Sequence, residues 1–134
     1  MTRYVLGVDG GGTKTDAVIA DEFGKVIANA SNGGANWERM GIDKALASLE
    51  EVVRSAANVA GINTSEIASA SFAIAGIDWP EDVALYLPIT ERLAITKFEI
   101  FNDSFAALYA GAASLEGIVS IAGTGGKTAG IYAG

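Results

Sequence analysis

Residues 5–20 read VLGVDGGGTKTDAVIA: an apolar run, a knot of glycines with threonine, Lys-Thr, then a second apolar run. Two short runs rich in Val, Ile and Ala around a glycine cluster read as a β-hairpin with a glycine-rich turn. Residues 118–133, IVSIAGTGGKTAGIYA, align with the first stretch without a gap. Gly10, Gly12, Lys14, Thr15 and Ala20 recur there as Gly123, Gly125, Lys127, Thr128 and Ala133. A turn used twice, once near each end, points to one ligand held from two sides. Glycine lets the backbone approach an anion closely and aim its N–H groups at phosphate oxygens, and threonine hydroxyls add donors. Gly10, Gly11, Gly12, Thr13 and Lys14 in the first copy, and Gly123, Thr124, Gly125 and Gly126 in the second, are therefore candidate phosphate contacts. The phosphate motifs of fixed spacing do not apply: GxxxxGK[ST] is absent, no GxGxxG lies between a strand and a helix, and another strand follows each turn. Taken singly, either copy reads equally well as an ordinary hairpin.

Asp9 ends the first apolar run, directly before the glycines, and Ala122 faces it in the second copy. A carboxylate beside a polyphosphate repels it unless a cation intervenes, so Asp9 is read as holding Mg²⁺, through its waters. The alternative is a carboxylate that caps its own turn. The second copy keeps the turn and drops the acid, which favours the metal role.

Outward from the first hairpin, Tyr4–Val8, Thr15–Ala20 and Lys25–Ala30 read as an antiparallel meander. From Trp37 to Ala60, apolar residues at Leu46, Leu49, Val53, Ala56 and Ala60 keep helical spacing, with Asn36 as N-cap and Gly61 as stop. A turn over Thr64–Ile67 leads to a strand over Ser69–Ile74. A helix starts at Pro80 and runs through Leu85. Phe98–Phe101 is a short strand, Ser104–Ser114 a small-residue helix, and Ile118–Tyr132 the second hairpin. The order is βββαβαβα, with hydrophobic helices packing on a sheet. Asp103 falls where open α/β sheets place ligands, between a strand and a helix, though by spacing alone it is a good helix N-cap. Asp78, in AIAGIDWP, sits in another end-of-strand loop, and Asp-Trp-Pro is also ordinary turn chemistry. Trp37 and Trp79 read as core or hinge packing rather than as a stacking surface.

VDGGGTKT, the G-x-N of Gly34, Ala35 and Asn36, NDSFAAL and IAGTGG together resemble the N-acetylglucosamine and glucosamine kinases of the BadF/BadG/BcrA/BcrD group. That group lies within the superfamily of sugar kinases, actin and heat-shock chaperone ATPases. The resemblance covers residues 4–134. It implies an α/β, ribonuclease-H-like lobe with a mixed five-stranded sheet flanked by helices over residues 1–116, and the opening hairpin of a second lobe over 117–134. It further implies ATP and Mg²⁺ as cofactors and phosphorylation of an amino sugar on its 6-hydroxyl. By the same resemblance, Asp103 of the Asn-Asp pair is the base that deprotonates the attacking hydroxyl. Asn36, Gly76, Asp78 and Asn102 then line the sugar site, and the two glycine turns bind phosphate from the two lobes.

Two other classes fit the family. An ATPase that activates a radical dehydratase or reductase would share an iron–sulfur cluster through cysteines, and the chain has none. A non-catalytic actin-like ATP-binding module is the third. A regulator of that kind adds a helix-turn-helix, for which there is no room before residue 4.

Composition bounds the rest. At 134 residues the chain suits about one domain, whereas a kinase of this kind needs two lobes, so the expectation is a fragment whose adenosine-binding lobe is missing. Without cysteine or histidine, disulfides and thiolate metal sites are excluded, and any general base is a carboxylate. A net charge of −7 argues against nucleic acid and anionic lipid as partners. No apolar run reaches the length of a membrane span and Arg3 is the one charged side chain before the first strand, so the expected location is cytoplasmic. The hairpin strand without a partner and the bare interlobe face predict a homo-oligomer.

Overall fold

The computed structural model describes residues 2–104, together with the backbone of two later strands. Strands β1 (Tyr4–Gly10), β2 (Lys14–Asp21) and β3 (Val26–Gly33) form the antiparallel meander, with Gly10 paired to Thr15 across the first turn. β4 (Ile67–Ile74) pairs parallel to β1, and β5 (Phe98–Asn102) parallel to β4. The order β3-β2-β1-β4-β5 is the mixed five-stranded sheet expected. The strands run on past the ends read from composition, because ladder bonds tolerate the polar and glycine residues at their tips.

Asn36 caps α1 (Trp37–Met40), its side chain accepting from the Glu38 N–H. The single helix expected over Trp37–Ala60 is broken: Gly41, at φ 82° and ψ 154°, separates α1 from α2 (Ile42–Ala60). Such a dihedral pair is outside helical space, and a residue with a Cβ adopts it at a cost. α2 lays Leu46, Leu49, Val53 and Ala56 on one face of the sheet, against Leu6, Val8, Ile19, Phe72 and Ile74. Full burial of each large aliphatic side chain contributes about 1.5–3 kcal/mol, which holds an amphipathic helix of this length in place.

The crossover from β4 to β5 holds two helices where one was expected. α3 (Pro80–Tyr86) is followed after Leu87 by α4 (Pro88–Leu93), and both pack beside α2. Leu87 stays in the helical region, at φ −52° and ψ −36°, although the residue before a proline usually avoids it. Burial of Ile89 and Leu93 and the bond from Thr90 Oγ1 to Leu87 O compensate. The opposite face of the sheet presents Val5, Gly7, Asp9, Val18 and Ser71 to solvent.

After β5 the chain turns helical at Asp103 and Ser104. The remainder of the helix expected over Ser104–Ser114, and the turn Gly123–Gly125, lie outside the described residues. The second hairpin is present as β6 (Gly117–Ala122) and β7 (Gly126–Ile131), paired antiparallel from Gly117 with Ile131 to Ala122 with Gly126. Among the described residues no helix is long and apolar enough to cross a membrane.

Candidate active site

The first glycine turn is clamped from both sides. Its own closure is the bond from Gly11 N–H to Lys14 O, 2.8 Å. From one side Ala35 N–H donates to Gly11 O at 3.0 Å, and from the other Ala75 N–H donates to Gly10 O at 2.7 Å. Gly34 lies so close that a Cβ there would collide with the carbonyl of Gly12. The segments after β3 and after β4 also grip each other. A Cβ on Gly76 would strike Asn36 Oδ1, and Trp37 Nε1 donates to Gly76 O at 3.0 Å. Tyr86, fully buried, completes this knot: its hydroxyl donates to Ala35 O at 2.6 Å and accepts from Trp37 N–H at 2.9 Å. The structure thus brings together Gly10–Gly12, Asn36 and Gly76, residues far apart in sequence, at the C-terminal ends of β1, β3 and β4.

Asp9 lies on the exposed face at the end of β1, opposite Asp16 across the ladder. Burial of its carboxyl group, then the negative charges of Asp103 and Asp16, push Asp9 above the ordinary carboxylate pKa, against the pull of Lys14. Asp16 moves the other way, because it accepts a short bond from Ser31 Oγ and pairs with Lys14 Nζ at 3.3 Å. Asp103 follows β5, two strands from β1, so at ordinary strand spacing about 10 Å separates the two chain ends. That gap is wide enough for a hydroxyl and a phosphoryl group between two carboxylates.

Beside it a depression of about 400 Å³ opens between the ends of β4 and β5, lined by Ile77, Asp78, Trp79, Val83, Phe101 and Asn102. Trp79, read as partly buried core or hinge packing, is 70% exposed on its lip, whereas Trp37 is half-buried. Asn102 lines that depression and also bonds to the chain around it. Its Nδ2 donates to Ile77 O at 2.7 Å and its Oδ1 accepts from Ser104 N–H at 2.9 Å, so it ties the Asp78 loop down and caps the helix that Asp103 begins. Asp78 is exposed, and its N–H, with that of Trp79, donates to the buried Asp82 carboxylate, both at 2.9 Å. Tyr86, Asp82, Asp16 and Arg39 escaped the sequence reading. Only Asp82 had a local signal, as an acid at the third position of a helix opened by proline.

Residues 6–134 match the BadF/BadG/BcrA/BcrD ATPase family. The chain belongs to that family. It is similar to the N-acetylmuramic acid/N-acetylglucosamine kinase of Clostridium acetobutylicum, 30% identical over 92% of this chain and 40% of that protein. It is also similar to the glucosamine kinase of Vibrio cholerae, 29% identical over 92% of this chain and 42% of that protein. A crystal structure of a candidate N-acetylglucosamine kinase from Porphyromonas gingivalis superposes with a TM-score of 0.75 at 25% identity, covering 96% of this chain and 44% of that one. The chain thus spans about two fifths of the length of the relatives it matches.

Membership of this ATPase family implies a nucleotide, and the glycine turn after β1 fits its phosphates. Among the described residues no three acidic side chains gather into a metal cage. Mg²⁺ does not require one, since it keeps several waters and is held by one or two carboxylates together with phosphate oxygens. Asp9, partly buried and beside the negative charges of Asp103 and Asp16, is a carboxylate whose repulsion a cation would relieve.

Proposed function

We propose that this chain carries the sugar side and the first phosphate turn of an ATP-dependent amino-sugar kinase, acting on N-acetylglucosamine or glucosamine at the 6-hydroxyl. The observation that carries the reading is the knot at the strand ends. The glycine turn Gly10–Thr13, the Asn36–Gly76 contact and the two carboxylates Asp9 and Asp103 all fall at the C-terminal ends of β1, β3, β4 and β5, one end of the sheet, as a two-substrate transfer requires. In the reaction a bond forms between the sugar O6 and the γ-phosphorus, the bridge from that phosphorus to the β-phosphate oxygen breaks, and ADP leaves. Asp103 accepts the proton of the hydroxyl. Asn36, the Gly76 backbone and Asp78 orient the sugar, while Asn102 positions the Asp78 loop. Gly10, Gly11, Gly12 and Thr13, with Lys14 at their exit, face the phosphates, and Gly123–Gly126 meet them from a second lobe opened by residues 117–134. Asp9 would hold Mg²⁺, which supplies neutralisation of the phosphate charge.

The similarity to kinases of N-acetylglucosamine and glucosamine supports the substrate class. An ADP-release assay of the complete protein against a panel of amino sugars tests it. The reading requires sugar-dependent ADP release with N-acetylglucosamine or glucosamine and none with their 6-deoxy analogues. ADP release indifferent to sugar would instead favour an ATPase that drives another reaction.

A further inference from the structure

Arg39 stands in the short helix α1, where its N–H donates to Asn36 O at 3.1 Å. Its side chain runs back over the first glycine turn: a Cβ built on Gly12 would lie 3.0 Å from Arg39 Nη1, 3.9 Å from Cδ and 4.0 Å from Cζ. The bond from Ala35 N–H to Gly11 O holds the segment before α1 against that turn, and the exposed Arg39 side chain reaches the turn with its tip. Burial does not explain it, because Arg39 is exposed. Pairing does not explain it either. The ion pairs among the described residues join Lys14 to Asp16, and Arg54 and Arg92 to Glu50. Among those residues Arg39 thus lies beside the glycine turn without an ion pair, while Lys14 of the turn is paired with Asp16.

We propose that Arg39 is a phosphate-binding residue, its guanidinium contacting phosphoryl oxygens of the nucleotide held by Gly10–Thr13. The proposal rests on the polyphosphate reading of that turn. A guanidinium offers a planar fork matched to two oxygens of one phosphate. The need for it is electrostatic, because a polyphosphate entering beside Asp9, Asp16 and Asp103 in a chain of net charge −7 requires positive charge at short range. The fork lies beside Gly12, in the glycine turn itself, which assigns it to phosphate.

The test is calorimetry on the complete protein with ATP, inorganic tripolyphosphate and adenosine, alongside steady-state kinetics. Arg39→Ala should weaken ATP and tripolyphosphate binding roughly ten- to a hundredfold, the worth of a charged hydrogen bond or two, and leave adenosine binding alone. The KM for ATP should rise and that for the sugar stay. Arg39→Lys should recover part of the loss, and Arg92→Ala, which deletes the same charge from α4, should bind ATP as wild type does. Melting temperature should be unchanged in all three. ATP affinity within about twofold of wild type in Arg39→Ala overturns the proposal, and so does a rise confined to the sugar KM. If the wild type binds ATP but phosphorylates no amino sugar, the kinase reading falls and the binding arm still decides the role of Arg39. Wild-type protein that binds neither ATP nor tripolyphosphate overturns both.

Discussion

Asp9 faces opposing demands from folding and from function. Its pKa in the folded chain is raised above the usual 3.8, so folding favours the protonated acid. The associated stability is present in full below pH 3.8 and is lost as the pH rises through the raised value, which leaves a destabilising carboxylate at neutral pH. Asp9→Asn should therefore raise the melting temperature of metal-free protein, while cutting phosphoryl transfer by about two to three decades for want of a magnesium ligand. Melting curves in EDTA beside turnover in Mg²⁺ check both, and a melting temperature that falls would show that the carboxylate is a structural cap. Asn36 also serves twice, as the cap of α1 and as a sugar contact. Asn36→Ser keeps a capping oxygen and should leave melting nearly unchanged, yet raise the sugar KM about fivefold or more while leaving that for ATP. Equal changes in the two constants would reduce Asn36 to its cap. Thr15 Oγ1 is buried without a partner among the described residues, so Thr15→Val should be neutral or stabilising by about 1 kcal/mol in denaturant unfolding.

At the scale of elements, the junction of the β3–α1 segment with the end of β4 depends on Tyr86. Tyr86→Phe strands a carbonyl at Ala35 and an N–H at Trp37, and should cost about 1–3 kcal/mol while raising the sugar KM through displacement of Asn36. Burial pushes the phenol from 10.0 up to about 12. Its contribution to stability is thus complete below pH 10 and drains away as the pH climbs toward 12, so wild type should lose an alkaline increment of stability that Tyr86→Phe does not. Parallel pH-dependent unfolding curves for the two proteins would contradict this assignment. The same elements show what the sequence discloses. The meander, α2 and the parallel pair β4–β5 are legible because their apolar periods are local. The break at Gly41 and the helix at Pro88 are not, since glycine and proline fix what a residue tolerates and tertiary packing decides what it adopts. In the site, Asp9 and the glycines announce themselves by local chemistry. Tyr86 on Ala35, 51 residues away, and Arg39 on Gly12 exist only through the approach of separate segments.

The whole molecule poses the question of what the remaining length of the relatives supplies. In the proposed reading it is the second lobe, with the adenosine pocket and the partner face of the cleft. The isolated 134-residue chain should accordingly show no measurable kinase activity and bind ATP weakly. It should also self-associate through its bare sheet face and hairpin edge, which light scattering would detect as a mass above that of one chain. Micromolar ATP binding by a monomer would deny the second lobe its role. The most direct measurement follows the reaction of the complete protein with ATP and N-acetylglucosamine or glucosamine by phosphorus NMR, for wild type and Asp103→Asn, with ATP affinity measured alongside. The account predicts a 6-phosphate monoester appearing together with ADP, and a loss of about two to four decades in rate on Asp103→Asn with ATP affinity within a few-fold of wild type. Phosphate appearing at another position, or a variant that turns over at close to the wild-type rate, would contradict it.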